Sequence, residues 1–488
     1  MYSSVTSCAL VGVEPRAVQI EAVVSQGTGG FVIVGLPDAA IRESRQRVRS
    51  AIRETGFHFP GGNVVVNLSP ADLPKVGATY DLPIALSVLA AASNNQLNFD
   101  KFVPVGELSL HGRVRPVRAA LGATVVAERE DKTCLLSSDS AMTALDGVAL
   151  AGVTTLRHAV EVAQERRLPD AIGQPADLAA ESFDLADVRG QPLARRALEI
   201  AAAGRHHLLF VGPPGAGKTM LARCLPSILP SLDAGEQREV ALVWAAAGAN
   251  RPASGVPPFR APHHSSSVAA LVGGGAGLPT PGEASRAHRG VLFLDELGEF
   301  PTSVLDALRQ PVEDGFVSIA RQAASLRFPT AVQLIAASNP CPCGYLGDRI
   351  KPCTCIDSRK ERYAARLSGP FLDRFDMRVN FQRLRPAALA GPKGQPSSVV
   401  RARVVSARQR QVARGELNSR LSGSALDDLE ISSSAVSTLR AAAEHSDLSA
   451  RGWDRVRRVA RTIADLEGCV VIDDQHVKEA LLLRGEQV

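Results

Sequence analysis

Aromatic residues are scarce in this chain of 488 residues, where they make up 4% of the sequence. Proteins that hold single strands by base stacking use aromatic side chains, so any nucleic-acid contact here is expected to be electrostatic. An excess of one charge is also missing, because the formal net charge is only +5. The overall charge therefore does not identify a nucleic-acid-binding protein by itself.

Long apolar runs and a secretory leader are missing as well. No apolar run approaches the roughly 18 residues that cross a bilayer, and the start, MYSSVTSCALVGVEP, lacks the charged-then-apolar order of a signal peptide. Eight cysteines are few for this length, and four of them lie close together, which favours metal ligation over a disulfide framework. Hydrophobic residues make up 45%, enough for real cores. We expect a cytoplasmic protein of roughly two to four domains.

The strongest positive signal is GPPGAGKT at residues 212–219, a Walker A loop between the apolar run LLFV and the helix-forming MLARCL. This strand–loop–helix order makes a chance glycine turn a poor alternative. Glycines let backbone amides face phosphates, while Lys218 is expected to reach the β- and γ-phosphates and Thr219 to ligate Mg²⁺. The predicted ATP-binding residues are Gly212, Pro213, Pro214, Gly215, Ala216, Gly217, Lys218 and Thr219.

Two further apolar strands end in residues suited to phosphate chemistry. VLFLDE (residues 291–296) is a candidate Walker B motif, in which Asp295 holds Mg²⁺ and Glu296 polarises the attacking water. VQLIAASNP (residues 332–340) carries Asn339 at its tip, where a γ-phosphate sensor would sit. A core strand followed by an ordinary acidic turn is a credible alternative for VLFLDE only in isolation. The three strands predict an α/β fold with a parallel sheet and its ligand at the carboxyl ends.

A cysteine group follows Asn339 directly, with the spacing C-x-C-x₉-C-x-C: Cys341, Cys343, Cys353 and Cys355. Two close pairs around a polar loop can enclose one tetrahedral ion, so we expect structural zinc. The usual pair spacing is C-x₂-C, and reduced thiols or reversible disulfides remain alternatives.

The chain as a whole resembles a known family. FRAPHHSSSVAALVGGG, PTPGEASRAHRGVLFLDELGEF, SNPCPCG, SGPFLDRFD and SARGWDRVRRVARTIADLEG resemble the magnesium-chelatase-like AAA+ ATPases, and VVVNLSPADLPKVGATYDLPIAL is similar to their YifB/ComM family. The resemblance implies that Asn339 is sensor 1, Arg374 an arginine finger and Arg451 sensor 2, with Arg455 as the alternative for that last role. It further implies adenine contacts near residues 188–190 and a homo-hexameric ring with ATP sites between subunits.

Domain organisation follows from the same motifs. We predict an N-terminal domain over 1–170, a linker over 171–182, an AAA+ core over 183–388 and a helical lid over 389–488. The N-terminal domain resembles the proteolytic domain of Lon proteases, an α+β fold like domain 2 of ribosomal protein S5. Lys75 stands where the Lon pattern has its serine, and Leu121 or Gly122 where it has its lysine. Without the Ser–Lys dyad we expect a domain that is not a peptidase.

Two functions remain open. One, which the resemblance implies, is a motor that moves branched or single-stranded DNA in recombination or DNA uptake, with Arg321 and Arg327 of FVSIARQAASLRF as phosphate contacts in a hairpin that matches a pore element of the family. The other is a remodeller of a protein partner, chelatase-like or chaperone-like. His263 and His264 lie in a segment expected to face the pore, with a structural or a substrate role. Three arginine clusters are interpreted as solvated helix faces, with DNA contact as the alternative: residues 42–53, 401–410 and 455–461.

Overall fold

The computed structural model describes residues 1–488 except 36–37, 94–95, 141–147, 174–182, 250–254, 276–277, 322–323, 349, 368–370, 385–389, 447 and 486–488. Most of the predicted linker 171–182 therefore lies outside the described residues. The predicted boundary between residues 388 and 389 also lies outside the described residues, and the predicted domain bounds stay predictions.

Four strands form the first N-terminal sheet: β1 (Tyr2–Val11), β2 (Glu14–Ser25), β3 (Phe31–Val34) and β4 (Asn63–Ser69). The order is β1-β2-β4-β3, with antiparallel pairing except between β3 and β4. Val64, Val66 and Leu68 of β4 are buried while Val65 between them is exposed. This period of two is that of a sheet with one face on the core.

Helices cover the inner face of that sheet, and a second, parallel sheet β5-β8-β9 lies beside it. Helix α2 (Asp81–Ala92) is buried on nearly all sides, as its mostly apolar sequence predicts. The other elements here are α1 (Ala39–Glu54), β5 (Phe102–Pro104), β6 (Glu107–Leu108), β7 (Val114–Arg115), α3 (Ala120–Arg129), β8 (Thr133–Ser137), β9 (Leu150–Val153) and α4 (Leu156–Ala163).

The central region contains a five-stranded parallel sheet of order β11-β14-β17-β10-β18. Its strands are β10 (Leu208–Val211), β11 (Phe259–Arg260), β14 (Val291–Leu294), β17 (Gln333–Ser338) and β18 (Met377–Asn380). Every residue of β10, β14 and β17 is buried. The parallel sheet expected from the three apolar runs is confirmed, and continuous burial is the reason those runs do not alternate.

Helices and short hairpins surround this sheet: α5 (Pro192–Gly204), α6 (Lys218–Arg223), α7 (Leu225–Ile228), α8 (Ala234–Ala246), α9 (Val268–Val272), β12 (Gly273–Gly274), β13 (Thr280–Pro281), α10 (Glu283–Arg286), α11 (Thr302–Asp314), β15 (Phe316–Arg321), β16 (Ala324–Pro329) and α12 (Asp357–Leu367). The antiparallel hairpin β15–β16 buries Leu326 and Phe328 against Val11 and Val13 of the N-terminal region. The predicted pore hairpin thus touches the first turn of the chain.

The C-terminal region is helical: α13 (Ser397–Ala413), α14 (Ser424–Asp427), α15 (Ser433–Ser446), α16 (Ala450–Glu467) and α17 (Asp474–Arg484). In α16, Val456, Val459, Ala460 and Ile463 are buried at helical spacing against the core that α5 and the sheet share. Ser449 caps the start of α16, and Gly468 ends it with φ +80°. Among the described helices, none is long and apolar enough to cross a membrane.

Candidate functional site

The sheet register brings the predicted site residues to one edge. Val211 of β10 pairs with Ser338 of β17, and Leu294 of β14 pairs with Ala336 of the same strand. Because all three strands are parallel, the residues that follow them lie side by side at the carboxyl edge. Walker A, Walker B and Asn339 therefore share one location, as ligand sites do in such sheets.

Lys218 occupies the middle of this location. Its buried Nζ donates hydrogen bonds to the carbonyl oxygens of Gly212 at 2.6 Å and Pro213 at 2.9 Å, and to Oδ1 of Asn339 at 3.2 Å. Burial lowers the pKa of the Lys218 ammonium, and the carboxylates of Asp295 and Glu296 oppose that effect. The carbonyl oxygens of Gly212 and Pro213 and the amide oxygen of Asn339 thus occupy the acceptor positions that phosphate oxygens would take in the nucleotide-bound protein.

Thr219 and Asp295 form a pair suited to Mg²⁺. The hydroxyl of Thr219 donates to Oδ2 of Asp295 at 2.7 Å. Adjacent ligands of an octahedral Mg²⁺, each at about 2.1 Å, lie about 3 Å apart. A hydroxyl and a carboxylate at nearly that separation fit the hard oxygen ligands that Mg²⁺ takes, so these two residues could hold the ion.

Glu296 has an unusual backbone and an unexpected neighbour. Its φ is 53°, in the left-handed region, and its amide donates to Oδ1 of Asp295 at 3.0 Å. Its half-exposed carboxylate, at Oε2, lies 3.1 Å from Nδ1 of His264. Strain of this kind is concentrated at functional sites, where the surrounding structure enforces it.

Strand register accounts for the His264 contact, which we did not predict. Arg260 of β11 pairs with Leu292 of β14 in parallel. His264 and Glu296 lie the same number of residues beyond that pair, so both reach the carboxyl edge together. Equal spacing along two paired strands is the signal that could have revealed it. His263 stacks on His264, with ring centroids 4.1 Å apart.

The two predicted arginines lie elsewhere. Arg374, on a short 3₁₀ helix (Leu372–Arg374), precedes the amino end of β18 and forms an ion pair with Glu313. β18 runs parallel to β10, and the Walker A loop follows the carboxyl end of β10. Within one chain, Arg374 and Lys218 therefore lie at opposite ends of the parallel strands.

Arg451 and Arg455 share a cleft with Arg374. The cleft has a volume of about 700 Å³ and is also lined by Glu313, Asp376 and Arg458. Both arginines belong to the first turns of α16, and Nε of Arg455 lies 3.8 Å from Oδ1 of Asp376. The predicted site residues thus form two groups within one chain. Walker A, Walker B and Asn339 lie at the carboxyl ends of the strands, and the arginines lie in a cleft at the amino ends.

The four cysteines converge. Sγ of Cys341 lies 3.4 Å from that of Cys343 and 3.7 Å from that of Cys353, and Cys343 and Cys353 are 3.5 Å apart. The sulfur of Cys355 completes a group in which all four atoms lie within 4.8 Å of one another. All four are free thiols. The amide of Tyr345 is the largest influence in lowering the pKa of Cys343 to about 5.

These separations match tetrahedral thiolate ligation. A tetrahedron with Zn–S of about 2.3 Å has sulfurs about 3.8 Å apart, close to the observed distances. The sulfurs are too far apart for disulfide bonds, which need about 2.05 Å. The chemistry of the donor set and its spacing therefore fit a zinc ion.

In the N-terminal region, Lys75 is buried and its ammonium donates to the carbonyl of Pro70. Burial lowers the pKa of this lysine. Leu121 and Gly122 lie in α3, and Gly122 is packed so closely that an added Cβ would be 3.2 Å from Sγ of Cys8. At the position of the Lon serine this chain has Lys75, whose ammonium is hydrogen-bonded to a carbonyl oxygen. At the position of the Lon lysine it has Leu121 or Gly122, which lie in helix α3 and carry no ionisable group.

Most arginines of the two lid clusters are half-buried, with Arg461 buried and Arg410 exposed, and they bind acceptors of this chain, so the interpretation as solvated helix faces does not hold for most of them. Arg408 donates to the carbonyl of Ala202 at 2.7 Å, and Arg461, 3% exposed, pairs with buried Asp465. Arg403 pairs with Glu199 at 2.5 Å. Arg403 and Arg408 thus join α13 to α5, whereas the Arg461–Asp465 pair lies within α16. In the first cluster, Arg42, Arg45 and Arg53 are exposed, as expected, whereas Arg47 is half-buried and pairs with buried Asp81.

The predicted pore hairpin carries Arg321 and Arg327 on opposite strands. The backbone of Arg321 pairs with Ala324 at the hairpin end, and its side chain lies outside the described residues. The exposed Arg327 guanidinium lies over the ring of Phe316, 3.7 Å from its centroid. A cation held on an aromatic face keeps a defined position while it stays accessible to an anion.

Comparison with known proteins covers almost the whole chain. Family models match in three segments, described as "Subunit ChlI of Mg-chelatase" over 20–140, "Magnesium chelatase, subunit ChlI" over 184–389 and "Magnesium chelatase, subunit ChlI C-terminal" over 394–484. The Mycobacterium tuberculosis H37Rv protein Rv2897c is 44% identical over 98% of this chain and 97% of its own length.

Two named relatives are similar over the same extent. The Escherichia coli K12 protein YifB is 40% identical, and the competence protein ComM of Haemophilus influenzae is 41% identical, each over 99% of this chain and 97% of its own. Lon protease 2 of Bacillus subtilis is 32% identical over 136 residues, 26% of this chain and 25% of its own, in accord with the Lon-like fold predicted for the N-terminal region. The full-length identities, joined to the parallel sheet and its helical lid, place this chain in the YifB/ComM family of magnesium-chelatase-like AAA+ ATPases.

Proposed function

We propose that this protein hydrolyses ATP with Mg²⁺ at the carboxyl edge of its central sheet. The observation that carries the proposal is the contact of Lys218 Nζ with Asn339, beside the Thr219–Asp295 pair. Mg²⁺, when bound, would neutralise charge on the β- and γ-phosphate oxygens. Glu296 would orient the attacking water, and Asn339 would contact the γ-phosphate.

The arginines would come from a neighbouring subunit. Arg374 and Arg451 lie in one cleft on the far side of the sheet from Lys218 of the same chain. A homo-hexameric ring would bring this cleft against the loop motifs of the next subunit. One interface would then supply both the finger and sensor 2, and hydrolysis would depend on assembly.

We propose further that the ring uses ATP to move branched or single-stranded DNA, in recombination or DNA uptake. A 41% identical relative is named for competence, and the hairpin β15–β16 exposes Arg327. Since the lid arginines bind acceptors within this chain, we assign phosphate contact to this hairpin rather than to the two lid clusters. The scarcity of aromatic residues makes the grip mainly electrostatic.

We propose also that Cys341, Cys343, Cys353 and Cys355 bind one structural zinc ion. Their spacing supports this, since it matches the edges of a zinc–thiolate tetrahedron. Metal analysis should find about one zinc per chain. Freely titratable thiols in the folded, metal-free protein would refute this assignment.

A junction assay tests the motor. The intact protein should branch-migrate a four-way DNA junction with ATP, and DNA affinity should fall with salt at a log–log slope of about −0.9 per neutralised duplex phosphate. Arg327→Ala should reduce junction processing and flatten the slope by about 1 while basal hydrolysis persists. The matched control is Arg113→Ala, because this arginine is 65% exposed and belongs to none of the three arginine clusters. An ATP-hydrolysing ring that leaves junctions untouched at low salt would favour remodelling of a protein partner.

A further inference from the structure

The cysteine loop, residues 341–355, joins elements that carry the ATP site. β17 ends at Ser338 and α12 begins at Asp357, with no helix or strand described between them. Asn339, the predicted γ-phosphate sensor, lies two residues before Cys341. A loop of this length without regular structure is uncommon in a compact domain, and usually has a function.

The loop has little hydrophobic core of its own. Cys341 is 1% exposed, but Leu346, Ile350 and Ile356 are 45%, 61% and 63% exposed. Buried apolar area is what normally holds a segment in one conformation, and small segments that lack it depend on a disulfide or a metal. With its four thiols unbridged, the sulfur group is the place where the two ends of this loop converge.

The loop touches the Walker A loop directly. Gly344, with φ +82°, lies so close that an added Cβ would be 2.6 Å from Cδ of Pro214 and 3.7 Å from Cγ of Asn339. One glycine, between the two cysteine pairs, thus contacts both the phosphate loop and the sensor. Its amide donates to the carbonyl of Cys341 at 2.9 Å, which ties this contact to the sulfur group.

The segment after the loop reaches Walker B. Tyr363 of α12 lies 3.4 Å from Oγ of Ser338, hydroxyl to hydroxyl. Its ring also covers Gly298, two residues after Glu296, where an added Cβ would be 2.3 Å from the phenol oxygen. On the other side, Nε of Arg383 lies 3.7 Å from Oδ2 of buried Asp348. The loop is therefore fixed between sensor 1, Walker A and the turn after Walker B.

We infer that zinc in the cysteine loop positions Asn339 and Pro214, so that zinc occupancy governs ATP turnover. The inference rests on the proposed ATPase and the proposed zinc site, and adds a physical link between them. Asn339 and the phosphate loop that carries Pro214 would contact phosphate, whereas the cysteines act through them as positioning residues. Loss of zinc leaves the four sulfurs without a common ligand and frees Gly344 from Pro214.

Two glycine variants separate zinc binding from its effect. Gly344→Ala keeps all four thiols but places a Cβ 2.6 Å from Pro214, about 1 Å inside ordinary contact distance. A displacement of about 1 Å can cost as much as 10²-fold in rate. Gly347→Ala is the matched control: it has the same left-handed backbone, φ +77°, in the same loop, and nothing within 4 Å of the added Cβ.

The experiment measures zinc per chain, binding of a non-hydrolysed ATP analogue and kcat for the wild type and three variants. Gly344→Ala should retain zinc and lose kcat by about 10- to 100-fold, while Gly347→Ala stays within about twofold of the wild type. Cys353→Ser should lose zinc and kcat together. Analogue affinity should change less than kcat in each case, because Lys218 and Thr219 remain.

The outcomes distinguish the proposals. Zinc-bound Gly344→Ala with wild-type kcat would overturn the link between zinc and turnover, even if Cys353→Ser failed to fold. Equal losses of kcat in Gly344→Ala and Gly347→Ala would also overturn it, since backbone strain alone would then explain the effect. A zinc-bound wild type that hydrolyses no ATP would instead refute the proposed ATPase, and the inference with it.

Discussion

Trans complementation is the most direct consequence of where Arg374 lies. The four residues of β10 span about 13 Å at about 3.3 Å each, and Arg374 precedes the amino end of the strand beside it. An arginine at that edge cannot reach phosphates bound by Lys218 of the same chain. We therefore expect Arg374→Ala to bind nucleotide normally and to hydrolyse it about 10³-fold more slowly or worse, a loss of about 4 kcal/mol.

Mixing this variant with Glu296→Gln supplies the quantitative test. An interface is active when one chain contributes an intact Glu296 and its neighbour an intact Arg374. In random hybrid rings made from equal amounts, about a quarter of the interfaces meet that condition. If interfaces act independently, phosphate release should therefore recover to about a quarter of the wild-type rate, from two nearly inactive parents.

Controls separate chemistry from folding. Arg374 forms an ion pair with Glu313, which is 55% exposed. Glu313→Gln should leave hydrolysis much less affected than Arg374→Ala, since such a pair contributes at most about 1 kcal/mol. Thermal unfolding should confirm that each variant is folded, and differently sized tags should confirm hybrid assembly. No recovery in demonstrated hybrids would refute the trans role.

Two other predictions concern the core. Lys218→Ala should abolish nucleotide binding in a calorimetric titration, whereas Glu296→Gln should retain binding and lose turnover by at least about 100-fold; near-normal turnover of the latter would refute the Walker B assignment. Burial lowers the pKa of His288 to about 4, and its Nδ1 accepts from the amide of Ala331 at 3.0 Å, so no proton fits there. In the unfolded chain His288 binds a proton below about pH 6.5, whereas in the folded protein it stays neutral down to about pH 4. The free energy of unfolding therefore falls as the pH is lowered from about 6.5 to about 4. The loss is about 2 kcal/mol between pH 8 and pH 5, and urea unfolding of His288→Gln should lack this slope component.

Local signals were sufficient to predict the central fold. Each of the three apolar runs is continuously buried, and each is followed by residues predicted to contact ATP, Mg²⁺ or the attacking water; both features are encoded within a few residues of sequence. The α/β fold class and the family are confirmed. The roles assigned to Glu296, Asn339, Arg374 and Arg451 stay predictions, although the first two lie where those roles require.

The remaining features could not be predicted because they depend on which elements become neighbours in the folded chain. The contact of His264 with Glu296 depends on which strands are neighbours, and β11 and β14 are far apart in the chain. The lid arginines illustrate the same limit. Arg403 and Arg408 look like surface charges in sequence, but they reach Glu199 and the carbonyl oxygen of Ala202 on another helix, α5. A guanidinium with several donors can be buried wherever such acceptors converge, and charge spacing does not reveal that.

The contact between the hairpin β15–β16 and the first turn of the chain has a mechanical consequence. Leu326 and Phe328 pack around Gly12, where an added Cβ would be 3.6 Å from each side chain, and Val11 and Val13 flank it. Packed side chains transmit displacement because the interior is dense and barely compressible. A movement of the hairpin, which the proposed motor requires, would therefore push on the turn between β1 and β2 and reach the N-terminal sheet through it.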